Sequence, residues 1–197
     1  TEMAPENTRI PLHRRLASAA LAAGGLWAAA GATLHAQTPL PVDTIKLPPG
    51  FKVETWASGV RDARALRQGD KGTVFVSTLF VGNKVYVLPE KAAGGKREPK
   101  VIIDKTEQAT GIEFHKGTLF FATNKKIVRY DNVEDKLDNI GEGKVLTDKL
   151  PGGSDHSWKF LRIHKDKLYY HIGAPCNICD PRELAKIYRM NLHRSGV

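Results

Sequence analysis

Cysteine is scarce in this sequence, and its scarcity excludes several kinds of site. The chain of 197 residues has two cysteines, Cys176 and Cys179, which form a single C-x-x-C motif. Covalent haem attachment requires a histidine at the next position, but Asp180 stands there. A zinc site would need two more ligands, for which His156 and His171 are the candidates. Thioredoxin-like chemistry would need a helix N-terminus beside the thiols, and the surrounding residues do not predict a helix.

A segregated patch of positive charge is also missing. The formal net charge is +9, and residues 1–36 hold three arginines and two glutamates, so the remainder of the chain carries +8. Its lysines are scattered through turns and mixed with aspartate and glutamate, without a basic helix or stripe. This distribution is typical of a solvated surface and argues against a nucleic-acid partner.

The first 36 residues have the three-part pattern of a secretory signal peptide. A basic segment at 9–15 precedes an uncharged stretch rich in Ala and Gly at 16–32, and the small residues Ala30 and Ala32 suit signal peptidase. A permanent membrane span is the alternative, because the apolar stretch is close to the lower length limit for crossing a bilayer. The Ala-rich composition favours the cleaved signal over the stable span.

Residues 37–49 contain four prolines and are predicted to be a linker that precedes the folded part of the chain, residues 50–197. With the signal removed, we expect a periplasmic or secreted protein. Disulfides persist in such oxidising compartments. Cys176 and Cys179 are therefore predicted to form a disulfide that stiffens their turn.

One strand pattern occurs three times in the folded part. The start of a strand recurs after a polar turn, with copies 45 and 49 residues apart, at residues 72–76, 117–121 and 166–170. A short apolar strand precedes each turn, at residues 65–66, 111–114 and 160–163. A third strand follows each copy, at residues 84–89, 126–131 and 186–191. Alternating β-branched and aromatic residues between Gly, Asp and Lys predict half-buried antiparallel strands. Sheet units that recur every 40–50 residues or so are typical of β-propeller blades; a β-sandwich is the alternative.

We therefore predict an all-β fold, a β-propeller of four-stranded antiparallel blades. Three blades of an expected six are visible, and propellers close with about four to eight. Residues 50–197 are accordingly expected to be the N-terminal half of a propeller domain, within a longer protein. Residues 51–57 are predicted to form its first strand.

Asp155 and His156 lie where a propeller keeps its ligand. If the strands of a blade run alternately down and up, the loop leading into the innermost strand and the loop after the second strand open on the same face. Counting back 49 and then 45 residues from His156 reaches Glu107, beside Gln108, and then Asp62, so these residues are expected at the same mouth. A histidine next to a carboxylate suits a general base near neutral pH. The alternative is a histidine that caps a turn, with its ring bonded to the backbone.

Four segments of the chain resemble the PQQ-dependent sugar dehydrogenase family, and its sorbosone dehydrogenase-like members in particular. They are LPPGFKV at 47–53, G-x-D-H-x-W-K at 153–159, GAPCNIC at 173–179 and IYRMNL at 187–192. The resemblance implies a six-bladed propeller that binds pyrroloquinoline quinone (PQQ) and calcium on one face. It also implies that most residues holding these two groups lie in later blades, so that this part of the chain is inactive alone.

The same resemblance implies site residues and a reaction. His156 would be the catalytic base with Asp155 orienting its ring, and Gln108 and Asn177 would lie beside the cofactor or substrate. The base would remove a hydroxyl proton from a sugar or sugar aldehyde such as glucose or sorbosone, while a hydride passes to the quinone. A periplasmic electron acceptor would be a further partner.

Two other functions remain compatible with an exported propeller. A calcium-dependent lactonase would need metal-binding carboxylates near the axis. A non-catalytic binding propeller would need neither the base nor the quinone.

Overall fold

The computed structural model describes residues 40–90, 97–151, 156–180 and 184–192. The predicted signal at 1–36 and the candidate Asp155 lie outside the described residues. Within them the chain forms three antiparallel sheets and two short 3-10 turns, Val42–Thr44 and Val133–Asp135. None of the helices in these ranges has the length and apolar character needed to cross a membrane.

Each sheet is a meander in which consecutive strands pair. The first contains β1 (Ala63–Gln68), β2 (Val74–Thr78), β3 (Val85–Leu88) and β4 (Lys100–Ile103). The second contains β5 (Gly111–His115), β6 (Thr118–Ala122), β7 (Ile127–Tyr130) and β8 (Lys144–Thr147). The third contains β9 (Leu161–His164), β10 (Lys167–Ile172) and β11 (Lys186–Asn191).

The sheets are neighbours through their first strands, since β1 contacts β5 and β5 contacts β9. First strands that adjoin one another while each sheet fans outward are the arrangement of propeller blades. The prediction of antiparallel propeller blades is therefore confirmed, including the repeated strand pattern on which it depended. The fourth strands β4 and β8, of four residues each, lie outside the repeated pattern that identified the other strands.

The middle sheet is buried on both faces. One apolar layer joins it to the first sheet, with Phe75 and Val87 packed near Leu119 and Phe121. Another layer joins it to the third sheet, where Phe120 packs in one cluster with Leu161 and Leu168. Consecutive apolar residues in β6 thus point to opposite layers, as the two-residue period of a strand requires. Each fully buried side chain of this size stabilises the fold by about 1.5–3 kcal/mol.

An ion-pair network links the first strands of the three sheets. Arg67 of β1 donates from Nε to Oε1 of Glu113 of β5 at 3.1 Å and from Nη2 to the carbonyl oxygen of Leu161 of β9 at 3.2 Å. Arg162 of β9 approaches the other oxygen of Glu113 at 3.6 Å. The carboxylate is buried, and each arginine that pairs with it links its own blade to the middle one.

The predicted strand at 51–57 is wrong for the described structure. These residues form no strand, and Phe51 is 71% exposed. Only Ala57 makes a bridge, in parallel with Arg97, and the Arg97 guanidinium lies 4.8 Å from the centre of the Trp56 ring. Alternating residues favour an extended backbone, but a strand also needs a row of partner N–H and C=O groups, and among the described residues this segment meets only one bridge partner.

Candidate functional site

Two kinds of loop meet at one end of the three sheets, which we call the mouth. The lead-in loops precede the innermost strands, at residues 58–62, 104–110 and 156–160. The return loops join the second strand of each sheet to the third, at residues 79–84 and 123–126 and, in the last sheet, from 173 onward. Because the strands are antiparallel, both kinds of loop lie at the same end of the blades.

The non-glycine residues with a left-handed backbone that lie nearest the inner strands are Asp62, Gln108 and His156, one for each lead-in loop; Lys105, earlier in the second loop, shares the conformation. The φ angles are 62° at Asp62, 47° at Gln108 and 46° at His156. This conformation is uncommon outside glycine and concentrates at functional sites. The count along the sequence reached Asp62 and His156, but the residue that repeats the conformation in the second blade is Gln108 rather than Glu107. The structure therefore places Gln108 and His156 at equivalent positions of neighbouring blades.

The lead-in loop of one blade is held by the preceding blade. Asn83, in the first return loop, accepts from the backbone N–H of Gln108 through Oδ1 at 3.2 Å and from that of Thr106 through its carbonyl oxygen at 2.9 Å. Ser77 of β2 donates to the carbonyl oxygen of Thr110 at 3.0 Å. The Thr110 hydroxyl in turn accepts from the N–H of Lys159 at 3.0 Å, in the next blade.

The ring of His156 is oriented by its own blade. Its Nδ1 lies 3.2 Å from the carbonyl oxygen of Ala174, in the return loop. A carbonyl oxygen only accepts, so we assign the proton of the neutral ring to Nδ1, which leaves the lone pair of Nε2 free. Gly173 permits this contact, because a Cβ built there would stand 2.1 Å from the carbonyl oxygen of His156. The described orienting group is thus a backbone carbonyl, whereas the predicted one, Asp155, lies outside the described residues.

An aromatic row extends from His156 across the mouth. The half-buried indole of Trp158 meets the His156 ring edge-on, with centroids 5.9 Å apart, and meets the exposed Phe80 of the first blade edge-on at 6.4 Å. The guanidinium carbon of Arg64, on β1, lies 5.8 Å from the centre of the Trp158 ring. The row therefore joins the first and third blades beside the candidate base.

A buried lysine lies directly behind this row. Lys159 is 2% exposed, and its Nζ donates to the carbonyl oxygen of Ser157. No acidic side chain of the described residues pairs with it, and burial lowers its pKa to about 8. Burial, followed by the charge of Lys159, also lowers the pKa of His171, whose Nδ1 accepts from the N–H of Phe160 at 3.1 Å. His171 is therefore neutral near pH 7 and serves the backbone.

Asn177, the remaining predicted site residue, lies in the return loop of the third sheet, between Cys176 and Cys179. Cys176 and Cys179 are bridged, with Cα atoms 5.5 Å apart, a normal separation for a disulfide. Between them Asn177 is exposed and Ile178 is 98% exposed. Asn177 shares the return loop with Ala174, so it lies on the same loop as the carbonyl that orients His156. Its contact with a cofactor or substrate stays a prediction.

A metal site does not emerge from the parts of the chain that the structure describes. Nowhere in 40–90, 97–151, 156–180 or 184–192 do three His, Cys, Asp or Glu side chains cluster closely enough to hold an ion. The zinc alternative also loses its thiol ligands, because both sulfur atoms are in the bridge.

Solved structures resemble this arrangement, at low sequence identity. The PQQ domain of pyranose dehydrogenase from Coprinopsis cinerea, in its holo form, aligns with a TM-score of 0.60 and 16% identity over 69% of this chain and 35% of its own. The calcium structure of a family AA12 carbohydrate-active enzyme from Trichoderma reesei aligns with a TM-score of 0.59 and 18% identity over 70% of this chain and 38% of its own. The fold is that of a β-propeller domain.

The iodide structure of the Trichoderma reesei protein gives the same result, with a TM-score of 0.58 and 18% identity over 69% of this chain and 37% of its own. The chain thus spans a little over a third of the length of these proteins. Neither the protein-family models nor the curated proteins contain a match.

Proposed function

We propose that this chain contributes part of the active site of a quinone-dependent oxidoreductase that oxidises a sugar or sugar aldehyde, with PQQ as cofactor. The observation that carries the proposal is the orientation of His156, whose Nδ1 is held by the Ala174 carbonyl while Nε2 is left as a base. The likeness of the fold to a PQQ domain supports the choice of cofactor. Export with cleavage of residues 1–36, and a periplasmic electron acceptor, belong to the same proposal.

In the proposed reaction His156 accepts a proton from the hydroxyl group that is being oxidised. With Nδ1–H directed to the Ala174 carbonyl, the lone pair of Nε2 is available to accept this proton. As the ring becomes positively charged, the Nδ1–H bond to the Ala174 carbonyl strengthens and stabilises the imidazolium. When bound, PQQ supplies the acceptor for the two electrons and the hydrogen that leave the substrate carbon.

The residues present at the mouth fit an organic cofactor in part. Oε1 of Gln108 is buried and has no hydrogen-bond partner among the described residues. A buried acceptor left unpaired costs about 1–3 kcal/mol, so it is a good position for a donor from a bound molecule. For calcium the described residues offer no set of ligands, and we assign the ion no role in their chemistry.

His156→Ala in the whole protein tests the proposal. Removing the base should lower turnover with added PQQ by about a hundredfold or more, because general-base catalysis contributes about that much. PQQ binding and the fold should be retained. His164→Ala is a matched control, since His164 is an exposed histidine at the far end of β9.

Near-normal turnover of His156→Ala would contradict the proposed role of the base. PQQ binding by a wild-type protein that oxidises no sugar or aldehyde would instead favour a binding propeller.

A further inference from the structure

We propose that Arg64 and Trp158 form a contact for the quinone cofactor, in which the indole stacks against its rings and the guanidinium pairs with one of its carboxylates. This inference rests on the proposed function and assigns cofactor-binding residues in addition to Gln108 and Asn177.

The backbone directs Arg64 toward the mouth. Pairing between β1 and β2 steps from Ala63–Thr78 to Ala65–Ser77, so Arg64 is an extra residue without a cross-strand partner. This is a β-bulge, a feature that re-aims a side chain and recurs beside active sites. It falls at the mouth end of the innermost strand, two residues after the left-handed residue Asp62.

The donors of Arg64 are not used by the described part of the protein. Arg64 is exposed, and no carboxylate in the described ranges lies within ion-pair distance of it. Its described contact is with the ring of Trp158. A cation that rests beside a ring keeps its N–H groups available, and the planar fork of arginine matches a carboxylate with two parallel hydrogen bonds. Arginine elsewhere in this fold is used differently, since Arg67 and Arg162 both pair with Glu113.

Trp158 provides the apolar half of the contact. Its indole is fixed edge-on between His156 and Phe80, which leaves a ring of set orientation within 6 Å of the candidate base. A flat ring system that stacks on the open part of the indole is within reach of the guanidinium, whose carbon lies 5.8 Å from the ring centre. Aromatic rings prefer offset-stacked or edge-to-face arrangements with one another.

The combination selects for a planar anion. A neutral sugar gains from the indole but has no charge for the guanidinium, whereas PQQ is an aromatic tricarboxylate that can use both groups. Gln108, with its unpaired buried oxygen in the neighbouring lead-in loop, is available to accept a hydrogen bond from the same ligand.

Equilibrium dialysis of PQQ against the whole protein tests the contact without measuring turnover. Arg64→Gln should raise the dissociation constant at least about tenfold, because a charge-assisted bidentate pair is lost. Arg64→Lys should recover only part of the affinity, since it restores charge without the fork. Trp158→Phe, which keeps an aromatic ring of smaller area, should raise the dissociation constant several-fold.

Arg61→Gln is the matched control, because Arg61 is an exposed arginine three residues before Arg64, in the adjoining lead-in loop, and undergoes the same change of charge. It should leave the affinity for PQQ within about twofold of the wild type. Equal affinities for wild type, Arg64→Gln and Arg61→Gln would overturn this inference and leave the proposed function standing. Equal losses in both arginine variants would also overturn it, since they would indicate general charge attraction. A wild-type protein that binds no PQQ would overturn the proposed function itself.

Discussion

Replacing Lys159 with methionine should stabilise the protein near neutral pH. The folded state holds the pKa of Lys159 at about 8 through burial, against an ordinary value of 10.5. A difference of about 2.5 units corresponds to about 3 kcal/mol of destabilisation while the lysine is charged. Methionine keeps most of the alkyl chain and removes the charge, but leaves the Ser157 carbonyl without its donor, which costs about 1 kcal/mol. The net gain for Lys159→Met is therefore about 2 kcal/mol at pH 7.

The pH dependence separates this effect from ordinary repacking. Below about pH 8 the lysine is protonated in both the folded and the unfolded state, and the full cost of burying its charge is present. Between about pH 8 and 10.5 the unfolded state binds more protons than the folded state, so the stability of the wild type rises with pH. The advantage of Lys159→Met should shrink through this window and reverse to a deficit of about 1 kcal/mol above it.

Urea unfolding at half-unit steps from pH 7 to 11 measures the difference between the two proteins. Lys46→Met is the control, because Lys46 is exposed and its replacement should leave the pH profile unchanged. A difference between wild type and Lys159→Met that stays constant across these pH values would refute the reasoning. It would mean that the ammonium of Lys159 is hydrated, or paired with an anion in the folded protein.

Three further predictions concern the mouth and the sheets. Gly173→Ala should destabilise the fold by about 1–3 kcal/mol and lower turnover, because the new methyl group collides with the His156 carbonyl; unchanged turnover and melting temperature would argue against the contact. Alkylation of freshly isolated protein without reductant should modify neither Cys176 nor Cys179, and mass spectrometry showing two alkylated thiols would reject the bridge. Residues 37–197 expressed alone should aggregate or bind hydrophobic dyes and show no PQQ-dependent activity, because large apolar side chains such as Phe160 (54% exposed) and Ile187 (77% exposed) face solvent; a dye-free monomer that unfolds cooperatively would contradict this.

The blades were predictable because their signal is local. A strand with one buried face needs alternating side chains, and three copies of the same alternation identified β2, β6 and β10 together with their neighbours. The equivalence of Asp62 and His156 followed from the same spacing. The left-handed residues are 46 and 48 residues apart rather than 45 and 49, however, and this moved the equivalent position in the second blade from Glu107 to Gln108.

What the sequence could not predict depends on contacts between distant segments. Residues 51–57 alternate in side-chain type as regularly as the observed strands do. Whether they form a strand depends on which backbone lies alongside them. The bulge at Arg64 is visible only in the register with β2. Ser157, Lys159 and Leu161 are two residues apart and all are buried. The two-residue period that places Lys159 in phase with Leu161 was the available signal that its side chain points inward. A polar residue that lies in register with the apolar residues of an extended stretch is thus a candidate for burial.

The hydrogen bonds at the mouth also bear on how such a protein can change by exchange of its parts. Asn83 fixes the loop of Gln108, and Thr110 fixes the backbone of Lys159 beside His156. Each blade therefore supplies part of the scaffold for the lead-in loop of its successor. A recombination boundary placed anywhere between residues 110 and 159 would separate the Thr110 hydroxyl from the Lys159 N–H that it accepts. A blade exchanged by itself would therefore lose the hydrogen bonds by which the preceding blade positions its lead-in loop.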